Sequence, residues 1–164
     1  IHCAQLSRTG RVADSARVNG KPTIRPATEH DVSAMFRVRT SVRENHLSML
    51  ELAAMGITTE ALRSAIQAQP CAWVASEAGE VLGFAMVDLQ EACLFAAFVF
   101  PEQEGRGIGR ALIAACEAAL FARHDMIRLE TAGTSRAAGF YQRLGWRVTQ
   151  DLGDGDLRLE KCRA

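Results

Sequence analysis

The chain predicts one mixed α/β domain, a twisted and mostly antiparallel sheet with helices on both faces, on three observations. Apolar runs of strand length, residues 71–77, 81–89 and 92–100, follow one another. Only Ala78, Gly79 and Glu80 separate the first two, a turn short enough to make them antiparallel. Segments with apolar residues at three- and four-residue spacing lie on both sides of this block. Residues 98–120, FVFPEQEGRGIGRALIAACEAAL, then read as the end of an apolar strand, a turn with three glycines at alternate positions, and an amphipathic helix.

Each element has its own local reason. Residues 1–20 hold three arginines against one aspartate, few large apolar residues and no periodicity, and are expected to form a flexible leader ahead of a domain spanning 21–164. A short first strand from Lys21 to Arg25 ends at Pro26. Thr28 is an N-cap with Asp31 three residues on, and Val32, Met35, Phe36, Val38, Arg39 and Val42 carry a helix to about Asn45. Leu47, Met49, Leu50, Leu52 and Met55 form a second short helix closed by Gly56, and Thr58 caps a third, Thr59 to Gln69, stopped by Pro70. The 92–100 strand is apolar at nearly every position, as suits a strand covered on both faces. The helix after it starts near Gly107 and carries Ile108, Leu112, Ala115, Cys116 and Ala119 on one side. From Met126 to Thr131, Ile127 and Leu129 alternate with Arg128 and Glu130, a strand pattern. A last helix runs from Ser135 to Leu144 into a left-handed cap at Gly145, and 146–151 with 156–160 close the chain as a hairpin across Gly153, Asp154 and Gly155.

Composition removes several function classes. Of 164 residues 48% are apolar, enough for one packed core. Nineteen basic residues balance nineteen acidic ones, so the chain lacks the global field that nucleic acids or anionic membranes attract, and neither is expected as a partner. Cys3, Cys71, Cys93, Cys116 and Cys162 are odd in number and widely spaced, with no Cys-x-x-Cys pair, and are expected to be reduced core residues. No apolar run exceeds about ten residues, too few for a bilayer, and with no secretory signal pattern the expected address is cytoplasmic. His2, His30 and His124 lack metal-ligand spacing to another His or Cys, so no metal is expected.

The glycine turn carries the chemistry. Gly105, Gly107 and Gly109 remove side chains where the backbone must bend or approach a ligand closely, and Arg106 and Arg110 place positive charge beside them. The first unpaired amides of the following helix point into the same turn, which makes an anion cradle. A Walker-type loop ends in Gly-Lys-Ser or Gly-Lys-Thr, whereas Gly109 is followed by Arg110 and Ala111. A dinucleotide turn wants G-x-G-x-x-G and an acid about twenty residues on; Gly105, Gly107 and Glu130 approach that pattern, but the third glycine is displaced and the turn lies late in the chain.

A third cradle fits better. Pro101 followed by Glu104-Gly105-Arg106-Gly107-Ile108-Gly109, and then Phe140-Tyr141-Gln142-Arg143-Leu144-Gly145-Trp146, resemble in order the acyl-coenzyme A turn and the Phe-Tyr, Leu-Gly-aromatic helix of the GCN5-related N-acetyltransferase family. The resemblance covers roughly Ile24 to Glu160 in element order. Two departures stand out: Glu104 occupies a position where the family usually has Gln or Arg, and Thr134 one where many members have Asn.

The resemblance implies acetyl-coenzyme A as cofactor and a primary amine as acceptor. It implies amides from Gly105 through Ile108 to Arg110 on the pyrophosphate, and the edge of Phe98, Val99 and Phe100 paired with the pantetheine arm in a cleft splayed against Met126–Thr131. An amide near Val99 would polarise the thioester carbonyl, with Thr134, Arg136 and Arg143 near the cofactor. Tyr141 matches the family's general acid. Glu130 is the first choice of base for the acceptor ammonium, with Glu91, Asp88, Glu44 and His46 as alternatives. Acceptor choice is expected from residues 39–57, especially Arg43, Glu44, Asn45 and His46, for a small-molecule or peptide amine. Dimerisation is common in the family. A domain that binds acyl-coenzyme A as a sensor and catalyses nothing is the alternative from another function class.

Overall fold

The computed structural model describes residues 20–164, so the expected leader lies outside them apart from Gly20. In chain order the elements are β1 (Thr23–Pro26), a 3₁₀ turn (Glu29–Asp31), α1 (Val32–Ser41), α2 (Met49–Ala54), α3 (Thr59–Ala68), β2 (Ala72–Glu77), β3 (Glu80–Asp88), β4 (Cys93–Val99), a 3₁₀ turn (Pro101–Gln103), α4 (Ile108–Phe121), β5 (Met126–Ala132), α5 (Arg136–Arg143), β6 (Arg147–Gly153) and β7 (Asp156–Cys162). The strands form one seven-stranded sheet in the order β1-β2-β3-β4-β5-β7-β6. All described neighbours are antiparallel except β4 and β5. The mixed, mostly antiparallel fold is therefore the one expected.

The helices divide between the two faces as their apolar stripes require. Ile108, Leu112, Ile113, Cys116 and Leu120 of α4 are buried against Ala75, Leu82, Ala85, Val87 and Leu94 on one face. On the other, Ala34, Met35 and Val38 of α1, with Leu62 and Ile66 of α3, pack on Val74, Phe84 and Met86. Each such large side chain contributes roughly 1.5–3 kcal/mol on burial. Val32 and Phe36 on the outer side of α1 hold Leu52, which ties down α2.

One expectation is refined and another corrected. The strand fully buried on both faces is β3, from Val81 to Val87; β4 packs on both faces as well, but only Leu94 of it is fully buried. In β4 the register slips between Met86 opposite Ala96 and Val87 opposite Leu94, a bulge at Phe95. Leu94 therefore joins the α4 side of the core while Ala96 and Phe98 face the α1 side, and Phe95 is left 57% exposed. Helix α1 stops at Ser41 rather than near Asn45, with Val42 already extended. The Ser41 hydroxyl donates to the Val38 carbonyl (2.7 Å), the acceptor that the next helical N–H would use, and Asn45 turns left-handed at φ 53°.

The cysteines also differ in part. Cys71 and Cys116 are buried, and burial pushes the Cys116 thiol up to about 12. Cys93 is half-buried, Cys162 is exposed at the end of β7, and Cys3 lies outside the described residues. No helix among the described residues is long and apolar enough to cross a membrane, and they hold no cluster of three or more metal-ligating side chains.

Candidate active site

The bulge in β4 opens the sheet. β4 and β5 share a single paired position, Cys93 with Arg128, where the Arg128 N–H donates to the Ala92 carbonyl (2.9 Å). Beyond it the strands part. Phe100 N–H donates to the Leu82 carbonyl (2.9 Å), so by the alternation of an antiparallel ladder the N–H of Val99 points away from β3, into the gap.

The glycine turn lies at the open end of this gap. Gly105 (φ 76°) and Gly107 (φ 78°, the N-cap of α4) are left-handed, a conformation that L side chains reach at about 1–2 kcal/mol. A Cβ at either position would find no atom within 4 Å, so the turn faces open space. Glu104 N–H donates to Pro101 and Ala111 N–H to Gly107, but from Gly105 to Arg110 no backbone N–H has an acceptor among the described residues. This row of free amides at a helix N-terminus is a site built for an anion. Ile108 is buried and anchors the first turn of α4; Gly109 admits the Phe140 ring, whose edge would lie 3.5 Å from a Cβ there.

The arginines around the turn have different duties. Arg106 reaches back to β2, where its Nη2 meets Glu77 Oε1 at 2.9 Å and its Nη1 meets Gln103; it is committed to holding the turn. Arg110 and Arg143 are exposed and have no acidic partner among the described residues. Arg136, 73% exposed, bridges two loops: Nε lies 3.3 Å from Glu44 and Nη1 3.4 Å from Glu104. Thr134 is exposed in the β5–α5 turn. Arg43, Glu44, Pro101, Glu102, Glu104 and Arg136 enclose a cavity of about 450 Å³ between the α1–α2 connection, the glycine turn and the start of α5. Arg43 and Glu44, read from sequence as residues of acceptor choice, thus share a cavity lining with Glu104 of the turn. Asn45 and His46 are exposed outside that lining, the latter with its Nδ1 3.1 Å from the Val42 carbonyl.

Tyr141 is 7% exposed and packs edge-on against Phe140 and Trp146, with ring centroids 5.4 and 6.0 Å away. Burial pushes its phenol well above the ordinary range, helped by the neighbouring Cys116, and its hydroxyl has no hydrogen-bond partner among the described residues. Glu130 stands two residues past the last shared β4–β5 position, at the neck of the gap. Its Oε1 accepts from Arg158 (2.9 Å) and lies 3.7 Å from Arg128. Glu91 pairs with Arg128 (3.1 Å), and Asp88 caps the β3–β4 turn by accepting from Gln90 and Glu91 N–H. Both acids sit at the closed end of the gap. The seven residues of β4 place that end roughly 20 Å from the glycine turn.

One residue beside the site escaped sequence reasoning, Gly83, and a second, Arg39, was read only as part of the α1 stripe and of the 39–57 region. Gly83 of β3 lies opposite Val99, and a Cβ there would meet the Phe98 carbonyl oxygen at 2.8 Å and Leu112 at 3.3 Å; only glycine lets α4 and β4 close on β3. Nothing in the alternation of an apolar run marks it. Arg39, 9% exposed, sits on the inward stripe of α1 with its guanidinium 4.5 Å from the centroid of Phe98. Its spacing from Met35 and Val42 was a readable signal of a charge facing the core.

Comparisons with known proteins place this geometry. Residues 68–148, from the end of α3 into β6, match the family model described as the acetyltransferase (GNAT) domain. Among solved structures the chain is similar to the PaiA N-acetyltransferase from Thermoplasma acidophilum in complex with coenzyme A, with 18% identity, 87% of this chain and 99% of that chain covered, and a TM-score of 0.70. It is also similar to the ribosomal-protein-alanine N-acetyltransferase from Brucella melitensis (21% identity, 86% and 99% covered, TM-score 0.65). A third is the ribosomal-protein-S18-alanine N-acetyltransferase from Escherichia coli (22% identity, 86% and 93% covered, TM-score 0.64). No curated protein matches the chain by sequence. At these identities the structural likenesses concern the fold, and the family match adds that residues 68–148, which contain the split strands, the free-amide turn and the α5 helix, are a GNAT acetyltransferase domain.

Proposed function

We propose that this protein transfers an acetyl group from acetyl-coenzyme A to a primary amine of a small molecule or peptide. The observation that carries the reading is the row of free amides from Gly105 to Arg110 at the open end of the β4–β5 gap. The residues fit an anionic cofactor with an amide-bearing arm. The turn amides would hold a pyrophosphate, the unpaired edge of β4 at Val99 would hold the arm, and Arg110 and Arg143 are placed for further phosphate charge. Arg106 is better read as a brace of the turn through Glu77. Arg136 sets a cation against Glu104, so the carboxylate where the family favours Gln or Arg does not face phosphate unopposed.

Acetyl-coenzyme A supplies an acetyl group already activated as a thioester. The Val99 N–H in the gap would be the donor to the thioester oxygen on which charge develops as an amine attacks. Tyr141, kept protonated by its burial, would be the residue to give a proton to the coenzyme A sulfur as it leaves. Glu130, at the neck of the gap, takes the acceptor's proton through water. The cytoplasm is the address that goes with this reading. The test is thiol release with acetyl-coenzyme A across a panel of primary amines. Amine-dependent release is expected; binding without release from any amine would favour the sensor and overturn the transferase reading.

A further inference from the structure

The α1 side of the gap holds a buried cation that has no counter-charge among the described residues and no part in the proposed chemistry. Arg39, in the last turn of α1, is nine-tenths buried, yet it has no carboxylate within 4 Å among the described residues. Its guanidinium makes one hydrogen bond there, from Nη1 to the Asn45 carbonyl (3.1 Å), and one face rests on the Phe98 ring. Buried guanidinium groups are ordinarily paired, because taking the charge out of water is costly, and the burial lowers the affinity of Arg39 for its proton. The helix C-terminus and the ring offset part of that cost. Neither uses the planar fork of donors that distinguishes Arg from Lys.

The remaining donors are not sealed. Among the described residues the one side-chain nitrogen or oxygen that is fully enclosed without a partner is Nε of Arg158, so the free edge of Arg39 still touches open space. Phe98 beneath it is the neighbour of Val99, whose N–H enters the gap, and Asn45 beside it follows Glu44 of the cavity wall. Arg39 thus lies on the face of β4 opposite α4, where a group arriving at Val99 from the α1 side meets it.

We propose that Arg39 binds a carboxylate carried by the reacting partners, either on the amine acceptor, as in an amino acid, or on the acyl group. A carboxylate matches the fork with two parallel hydrogen bonds and provides the missing counter-charge. This rests on the acetyl-transfer reading and narrows its substrate class.

The test measures thiol release with matched amines that differ by a carboxylate, propylamine against β-alanine and phenethylamine against phenylalanine, using acetyl-coenzyme A. A second arm compares succinyl- with acetyl-coenzyme A on the neutral amines. Wild type, Arg39→Gln and Arg39→Lys are compared, with melting temperature and acetyl-coenzyme A calorimetry on each. A preference of at least about tenfold in kcat/KM for the carboxylate-bearing member is expected, in the first arm if the acceptor carries it and in the second if the acyl group does. Arg39→Gln should abolish that preference and leave rates with neutral members within about twofold, while Arg39→Lys, which keeps charge and packing stem, retains only part of it. Equal use of both members, a preference that survives Arg39→Gln, or no turnover of any pair by protein that binds acetyl-coenzyme A would overturn the inference. Failure to bind acetyl-coenzyme A would instead overturn the reading beneath it.

Discussion

Gly83→Ala probes how the sheet is held at the mouth of the gap. The new Cβ would stand 2.8 Å from the Phe98 carbonyl oxygen, 3.2 Å from Val99 Cγ2 and 3.3 Å from Leu112 Cδ1. The side-chain atoms can yield, but the oxygen belongs to β4, so the strand itself must move or tilt away from β3. Overpacking of this kind costs about 1–3 kcal/mol. In a domain of this size each kcal/mol lowers the melting temperature by about 2–4 °C, so a drop of roughly 2–12 °C is expected. Gly105→Ala is the control: its φ of 76° carries a backbone strain but its Cβ meets nothing. Because β4 also presents Val99 to the gap, acetyl-coenzyme A affinity should fall at least about threefold in Gly83→Ala, measured by calorimetry beside the melts. A melting temperature within about 1 °C of wild type together with unchanged affinity would refute the argument that close approach at Gly83 sets the position of β4.

Three further perturbations follow from the same geometry. Gly107→Val places a β-branched residue at φ 78°; relaxing that strain turns the amides of the N-cap away from the cradle, so acetyl-coenzyme A binding should be lost while the fold persists, and wild-type affinity would move the cradle elsewhere. Tyr141→Phe should lower turnover at least tenfold with cofactor affinity nearly unchanged, and equal turnover in the two proteins would remove the acid role. Asp31 accepts from Arg25 at 2.7 and 2.8 Å and from the Thr28 N–H at 2.8 Å, and the Arg25 guanidinium holds its carboxyl below the usual range. With the folded value depressed, its stabilisation is present above the unfolded value of about 3.9 and is lost as pH falls through the folded one. Asp31→Asn should therefore cost about 1–3 kcal/mol at pH 7, and the gap to wild type in urea melts should close below about pH 4; a gap independent of pH would contradict the assignment.

The elements were legible because their signals are local. Thr28, Ser135 and Gly145 stand where caps were read, and the alternation of Ile127 and Leu129 with Arg128 and Glu130 marks β5. The glycine turn was legible for the same reason, since Gly105 and Gly107 are required by their own φ angles. What depends on register was not. The bulge at Phe95 changes which residues of β4 face α4, and a run of apolar letters does not carry that information. Partners distant in sequence were equally hidden. Arg106 with Glu77, and Arg136 with Glu104 and Glu44, are brought together only by the sheet order, so the arginines read as phosphate contacts divide between braces and free charges. Glu91 and Asp88 looked available as bases because both lie at strand ends; the fold adds that Glu91 shares the Arg128 guanidinium with Glu130 and that Asp88 caps the β3–β4 turn.

The measurement that bears most directly on the central claim is a calorimetric titration of the protein with acetyl-coenzyme A and, separately, with NAD, accompanied by a thermal-shift series. Binding to the folded state alone must raise stability, by about 2.7 kcal/mol at a hundredfold excess over the dissociation constant. Binding of acetyl-coenzyme A with the corresponding shift, and none with NAD, is the expected result. No heat and no shift with acetyl-coenzyme A would contradict the claim that the free amides from Gly105 to Arg110 are a cofactor site.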